Sequence, residues 1–343
     1  MVYEVTIGIP VYNAKGYIES TMESALNQTY PDIEYLVIDD CGGDDSINVV
    51  EFLQEKHPRG KDIRILYNDE NQGVGITRNR ILDEARGKYL YFLDSDDLIE
   101  PETIQVLLGK AFENQAEVVY GSLDRIDKVN HLPAQSYILP DKCMLSEGEL
   151  ATYAFQHYDG FQISSCNCLM KLEFLRSHQL RFIDTQFWED LAFTYEMVTK
   201  VRKAVLLPTI TYHYICRPDS LSHYQERERY EKSEIQKNIS TINYLKGKSI
   251  ELKKKDYLPD FCKNLEMNSF YIVCHILRNS HCIFPSFTAK EMQSVLCHPM
   301  SFYEIIGFHR LMLANLFLWL LGRLPVFLFL PSIWMLGKIK KIL

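Results

Sequence analysis

Three carboxylates, Asp94, Asp96 and Asp97, follow the apolar run Tyr89–Leu93, with only Ser95 among them. A run of that length and composition reads as a buried strand, and side chains two apart on a strand point the same way. Asp94 and Asp96 therefore converge at the strand's tip, where they repel unless a cation lies between them. An all-oxygen donor set favours Mg²⁺ or Mn²⁺ over zinc. Such an ion bridges protein carboxylates to the phosphates of a substrate. A polar loop after a strand is the plainer reading of an isolated Asp-x-Asp, so the weight falls on what accompanies it. Tyr12, just past the first strand, can stack on a flat base, although it equally fits an ordinary loop aromatic. Asp40, past the second strand, can accept from a ring N–H such as that of uracil, or can cap a helix. Asp190 opens an apolar-periodic helix (Leu191, Tyr195, Val198), where the helix dipole favours an ionised carboxylate. A cation and a base platform together suit sugar-nucleotide chemistry, in which a departing diphosphate must be neutralised.

The elements that position these groups alternate strand and helix through the first 120 residues. Val5–Ile9, Glu34–Asp39, Ile63–Tyr67, the Tyr89 run and Glu117–Tyr120 read as strands. Between them Ile18, Met22, Ala25 and Leu26, then Ile47, Val50 and Leu53, then Gly75 to Ala85, then Ile104, Leu107, Leu108 and Ala111 recur at helical spacing. Pro101 opens the last of these helices. That alternation predicts an α/β fold, a mostly parallel central sheet wrapped by helices, with a helical C-terminal extension. Ligands of such sheets lie at the carboxyl ends of the strands. Tyr12-Asn13, Asp39-Asp40, Asn68-Asp69 and Asp94–Asp97 all fall there. Residues 121–225 lose the regular alternation, and 226–300 read as polar and helical, with charge runs that fit solvated helix faces.

A hydrophobic fraction of 47% and 12% aromatics supply a real core. The net charge of −8 argues against nucleic acid as a partner. Nine cysteines, an odd number without a Cys-x-x-Cys pair, fit a reduced cytoplasmic setting. The N-terminus enters a strand at once, with no basic-then-apolar leader. From Arg310 onward there are five basic side chains and no acidic one. Pro325 and Pro331 cut this apolar stretch into pieces shorter than the ~20 residues of a spanning helix. Two short helices lying on an anionic membrane surface are the expectation, with a buried hairpin or oligomer packing, a re-entrant insertion and a true span as alternatives. The closing Lys338, Lys340 and Lys341 favour the cytoplasmic face.

A set of motifs runs in order: Ile7-Gly8-Ile9-Pro10-Val11-Tyr12-Asn13, Ser24 to Asp32, Glu34 to Asp40, Asn71 to Val74, Thr77-Arg78-Asn79, Gly87 and Phe92 to Asp97. The ordered set resembles the family 2 glycosyltransferases of the nucleotide-diphospho-sugar (GT-A) fold, closely over the first ~100 residues and more thinly to residue 223. The resemblance implies that Pro10, Tyr12 and Asp40 line a nucleoside pocket. It places Asn13, Asn71, Arg78, Asn79 and Ser95 near a nucleotide-sugar donor, with UDP preferred. Asp96 would be the principal ligand of Mn²⁺ or Mg²⁺, and Asp94 would serve the metal or the ribose. Asp97 would orient the strand tip. Arg181-Phe182 followed by Trp188-Glu189-Asp190 matches the family's acceptor-side pattern. Asp190 would then be the catalytic base, with Glu189 and Trp188 on the acceptor side. Tyr212-His213-Tyr214 with Arg217-Pro-Asp-Ser220 and His223 is similar to the family's loop over the donor phosphates. Arg217 and Ser220 would touch the diphosphate, and His213 or His223 is a further candidate for the metal shell.

These assignments divide the chain into a GT-A domain at 1–225, a helical extension at 226–309 and a membrane-associating tail at 310–343. Within the first domain, 1–120 form the nucleotide-sugar half and 121–225 the acceptor half. The expected reaction is an inverting, metal-dependent transfer to a hydroxyl of a saccharide, free or lipid-linked, in cell-surface polysaccharide synthesis. An oligomer is compatible with the sequence. Two departures from the family pattern stand out: Cys41-Gly-Gly-Asp-Asp45 where Gly-Ser-x-Asp is usual, and Cys168 where a lysine is common. Cys166 and Cys168 read as structural cysteines, not zinc ligands. A sugar nucleotidyltransferase would want a glycine-rich basic loop after the first strand, and Asn13-Ala-Lys-Gly16 is a poor one. A non-catalytic sugar-nucleotide binder has no need of Asp94, Asp96 and Asp190 together.

Overall fold

Tyr3–Val11 form β1, buried almost throughout, as expected of a strand covered on both faces. The computed structural model describes residues 3–127, 133–157, 161, 164–185, 188–216 and 229–342. After β1 come α1 (Ile18–Leu26), β2 (Ile33–Asp39), α2 (Ser46–Lys56), β3 (Ile63–Tyr67), α3 (Val74–Glu84), β4 (Gly87–Phe92), β5 (Leu98–Ile99), α4 (Thr103–Asn114) and β6 (Val118–Asp127). The expected strand–helix alternation is present to within a few residues. β3, β2, β1 and β4 lie side by side and all parallel, with Val5 opposite Ile33 and Tyr89, and Ile9 opposite Val37. α3 packs tightly on β1: a methyl group at Gly8 would sit 2.4 Å from Ile81 Cγ2. Three parallel strands thus deliver Tyr12, Asp40 and Asp94 to one edge of the sheet.

The second half of the sheet departs from the parallel pattern. Its elements are β7 (Pro133–Tyr137), β8 (Lys142–Met144), α5 (Glu149–Gln156), β9 (Cys168–Lys171), α6 (Leu172–Ser177), α7 (Glu189–Lys200) and β10 (Ala204–Cys216). β9 inserts between β4 and β6, antiparallel to both, and carries Cys168 and Leu169 into the core. β10 runs parallel to β6 and antiparallel to β5 and β8. The fold is mixed α/β as expected, with its parallel strands concentrated in the first half.

The chain divides into two units. The first holds Met1–Leu150, Asp159–Asp184 and Glu189–Leu221, and so contains the sheet. The second holds Ala151–Tyr158, Thr185–Trp188 and Ser222–Leu343. It is mainly helical: β11 (Tyr230–Glu231), α8 (Lys232–Lys248), α9 (Leu258–Arg278), β12 (Ile283–Phe284), α10 (Ala289–Val295), α11 (Phe302–Ile306), α12 (Met312–Leu321) and α13 (Val326–Ile339). α9 is its buried axis, and an ion pair joins it to α8: Lys246 Nζ lies 2.6 Å from Glu266 Oε1, with both side chains buried. The same ammonium donates to Val295 O and Cys297 O, closing the end of α10.

Pro331 does not interrupt the tail as its sequence implied. It lies inside α13, which runs on through it, whereas Pro325 caps that helix. Proline removes one helical N–H and crowds the carbonyl four residues back. Packing of Phe329, Ile333 and Gly337 against the unit keeps the helix continuous despite that cost. Among the described residues, no helix is long and apolar enough to cross a membrane. None of the nine cysteines is in a disulfide.

Candidate active site

At the end of β2, the carboxylate of Asp40 is buried and organises the loop facing it. Its Oδ1 accepts from Asn68 Nδ2 (2.6 Å) and Gln72 N (2.9 Å), and its Oδ2 from Gly73 N (2.9 Å). A carboxylate offers about four acceptor positions, so one remains on Oδ2 for a ligand. Gly73 holds a φ of +82°, a conformation that suits glycine and lets its N–H face Asp40. Pro10 is buried in β1, while Tyr12 stands half exposed beyond the strand as an open ring face. Asn13, at φ +48°, accepts from Gly43 N with its Oδ1, tying the first loop to the second. Cys41 also has positive φ and is exposed. Asn71 is exposed, and its side chain accepts from Gly73 N.

Arg78, placed near the donor by its motif, is buried and bound to carboxylates. It lies on the buried face of α3 with Ile81 and Leu82, and only 2% of it is exposed. One guanidinium nitrogen donates to Glu189 Oε1 and Asp190 Oδ1, each at 3.1 Å, and the other to Asp94 Oδ1 at 2.7 Å. The group sits over the ring of Phe182, which stacks on Phe193. A buried cation is stable only when paired, and here three carboxylates from β4's tip and α7's start share it. Burial alone would lower the arginine's pKa; Asp190, Asp94, Cys166 and Glu189 more than offset this and hold it well above its usual value.

Glu189 responds in the opposite sense. Burial, then repulsion from Asp190, outweigh the attraction of Arg78 and push its carboxyl up to about 7. Asp190 is a quarter exposed, and its Oδ1 also accepts from Ser165 N at 3.2 Å. Trp188 precedes the pair with a φ of +68°. Asn79 exchanges two 2.8 Å hydrogen bonds with the Phe182 backbone, so it fixes the approach to α7.

At the strand tip Asp94, Ser95 and Asp96 are partly exposed, and Asp97 is buried. Asp97 accepts from Tyr212 OH (2.6 Å) and Ile215 N (2.8 Å), which binds the tip to β10. Burial, followed by Asp96 and Asp94, holds its pKa well above the carboxylate range. His213, a candidate metal ligand by sequence, instead faces Asp124 Oδ1 at 2.6 Å and Glu100 Oε1 at 2.8 Å through its two ring nitrogens. It would have to surrender one of these to bind a metal. Among the described residues, no three His, Cys, Asp or Glu side chains gather as a metal-binding group. Asp94 and Asp96 are both partly exposed oxygen donors, the donor type that Mg²⁺ or Mn²⁺ takes. Arg217, Ser220 and His223 lie outside the described residues.

The structure therefore brings Asp94, Arg78, Glu189 and Asp190 together, and lines Tyr12, Asn13 and Asp40 along the neighbouring strand ends. The linking role of Arg78 was missed by sequence reasoning, as were the contacts that Ser165, Phe182 and Tyr212 make here. A signal for Arg78 existed: an arginine three and four residues before Ile81 and Leu82 shares their inward face, and an inward arginine requires carboxylate partners.

The sequence profile of glycosyl transferase family 2 matches residues 6–177. Glycosyltransferase GlyA of Streptococcus pneumoniae is 30% identical over 228 residues, which cover 64% of this chain and 31% of GlyA. The chain thus spans about a third of that relative's length. Cholesterol galactosyltransferase of Borreliella burgdorferi is 24% identical over 78% of this chain and 72% of its own. Among solved structures, residues 1–349 of Staphylococcus aureus TarS in complex with UDP-GlcNAc share the fold, with a TM-score of 0.60 and 16% identity over 90% of each chain.

Proposed function

This chain belongs to glycosyl transferase family 2, and from that premise we propose that it transfers a sugar from a UDP-sugar to a saccharide hydroxyl with inversion at the anomeric carbon. One observation carries the reading: a single guanidinium, that of Arg78, joins the donor-side carboxylate Asp94 to the acceptor-side carboxylate Asp190. In this reading Tyr12 stacks on the uracil and Asp40 accepts from its ring N–H through the free position on Oδ2. UDP-GlcNAc in TarS supports a UDP donor, and Asp40 organises the facing loop through Gln72 N and Gly73 N.

Asp96 and Asp94 would hold a Mn²⁺ or Mg²⁺ ion, which supplies neutralisation of charge on the departing diphosphate. Asp190 removes the proton of the acceptor hydroxyl as that oxygen attacks from the face opposite the diphosphate. A carboxylate suffices for this when leaving-group departure leads and proton transfer is late. Arg78 and Ser165 N both donate to Asp190 Oδ1, leaving Oδ2 to take the proton. Trp188 and Glu189 flank the acceptor, and Arg217 and Ser220 would meet the diphosphate. Holding both substrates in one geometry accounts for much of the acceleration.

The acceptor, in this proposal, is a lipid-linked saccharide used in cell-surface polysaccharide synthesis at the cytoplasmic face of the membrane. A relative named for cholesterol supports a lipid on the acceptor side. The test is a panel of nucleotide-sugars with Mn²⁺, scored for donor hydrolysis and thermal shift. Asp190→Asn should lower turnover at least ~100-fold while UDP still binds. Equal turnover in that variant, or stabilisation by no UDP-sugar, would end the reading.

A further inference from the structure

The two C-terminal helices are apolar on both sides. On α12 the buried residues are Asn315, Leu318 and Leu321, whereas Leu313, Phe317 and Leu320 point outward at helical spacing. On α13 Phe329, Ile333 and Gly337 face the rest of the unit, and Phe327, Trp334 and Met335 lie on the opposite face, each more than half exposed. α12 and α13 both pack on α9, so their inward faces are already satisfied. A helix that is apolar all round is stable when both faces are covered, and among the described residues nothing covers the outer faces here.

Charge identifies the occupant. Residues 310–342 contain five cations and no acid, in a chain whose net charge is −8. Arg310 is paired with Asp260, leaving Arg323, Lys338, Lys340 and Lys341 around the apolar face. Arg323 stacks over Trp319 at 3.9 Å and Lys338 over Trp334 at 5.4 Å, a pairing of aromatic ring and cation suited to a boundary between oil and water. A second copy of the chain would bring the same positive charge and repel; an anionic headgroup layer attracts. With 14 residues, α13 is about 21 Å long, too short for a hydrocarbon core of ~30 Å.

We propose that the outer faces of α12 and α13 form a docking surface for an anionic lipid bilayer, on which both helices lie in the plane of the interface. The inference is independent of the transferase chemistry. The full chain is tested by flotation with vesicles of phosphatidylcholine, with or without phosphatidylglycerol. Binding to the anionic vesicles is expected, weakened by salt. Replacing Lys338, Lys340 and Lys341 together by Gln should reduce it ~100-fold, at ~1 kcal/mol per charge. The pair Phe327→Ser and Trp334→Ser should reduce it at least ~10-fold, with unchanged circular dichroism. The proposal is overturned if the chain floats with neither vesicle, if it binds both alike, or if the Ser pair only dissolves a dimer. Hydrolysis of a soluble UDP-sugar, measured in parallel, reports on the transferase reading alone.

Discussion

Replacing Arg78 with Met tests whether one cation sustains the centre of this site. The side chain is buried and contacts three carboxylates at 2.7–3.1 Å. Met preserves much of the volume and removes the charge, so Asp94, Glu189 and Asp190 would face one another uncompensated. Breaking a buried ion pair in this way costs ~3–5 kcal/mol. For a unit in the 150–250-residue class, that lowers the unfolding midpoint by ~6–20 °C. Scanning calorimetry on the full chain suits the measurement, because the sheet-containing unit and the helical unit can give separate transitions. The loss should be larger at about pH 8 than at about pH 5.5, because Glu189 titrates at about 7 and is already neutral in the acidic sample. Adding Glu189→Gln to Arg78→Met should recover at least ~1 kcal/mol, since one of the stranded charges is then gone. Arg78→Lys keeps the charge but offers a point in place of a fork, and should recover less than half of the wild-type margin. A loss below ~1 kcal/mol, or a double variant no more stable than the single one, would refute the reasoning.

Other outcomes follow from the same geometry. In the otherwise wild-type chain, the raised pKa of Glu189 means that the folded state binds its proton more tightly than the unfolded one, so this stability is fully present below about 4.5 and is lost as pH rises through about 7. Glu189→Gln should flatten that decline, gaining ~2–4 kcal/mol relative to wild type at alkaline pH, measured by urea titration across the window. Gly73→Ala strains a φ of +82° and disturbs the N–H that binds Asp40; a cost of ~1–3 kcal/mol and weaker UDP binding by calorimetric titration are expected. Lys246→Met strands Glu266 in the helical unit and should lower only that unit's transition, by ~3–5 kcal/mol in stability.

Much of the first half was legible in sequence because parallel strands buried on both faces read as apolar runs. Their carboxyl ends then marked Tyr12, Asp40 and Asp94 without further information. β9 was not legible: Cys168–Lys171 is four residues long, and its identity as a strand comes from partners at 89–91 and 118–120. Arg78 illustrates the same limit. Its motif implied proximity to a donor and said nothing of its partners, which lie 16, 111 and 112 positions away, a distance over which local periodicity is silent. His213 shows a third limit. A histidine near an acidic tip looks like a ligand until the structure reveals Asp124 and Glu100 on its two nitrogens.

The placement of β9 has a consequence for how the chain can be assembled. Because the seam between the early strands and the late ones is filled by a segment made after both β4 and β6, a ribosome releases the first 120 residues with β4's outer edge still open. Its backbone groups and the aromatic run Tyr89–Phe92 are then a template for unwanted pairing between nascent chains. Truncations ending before residue 168 should therefore aggregate instead of yielding a free nucleotide-binding half, and a split of this protein into two expressed pieces has to keep β9 with β4.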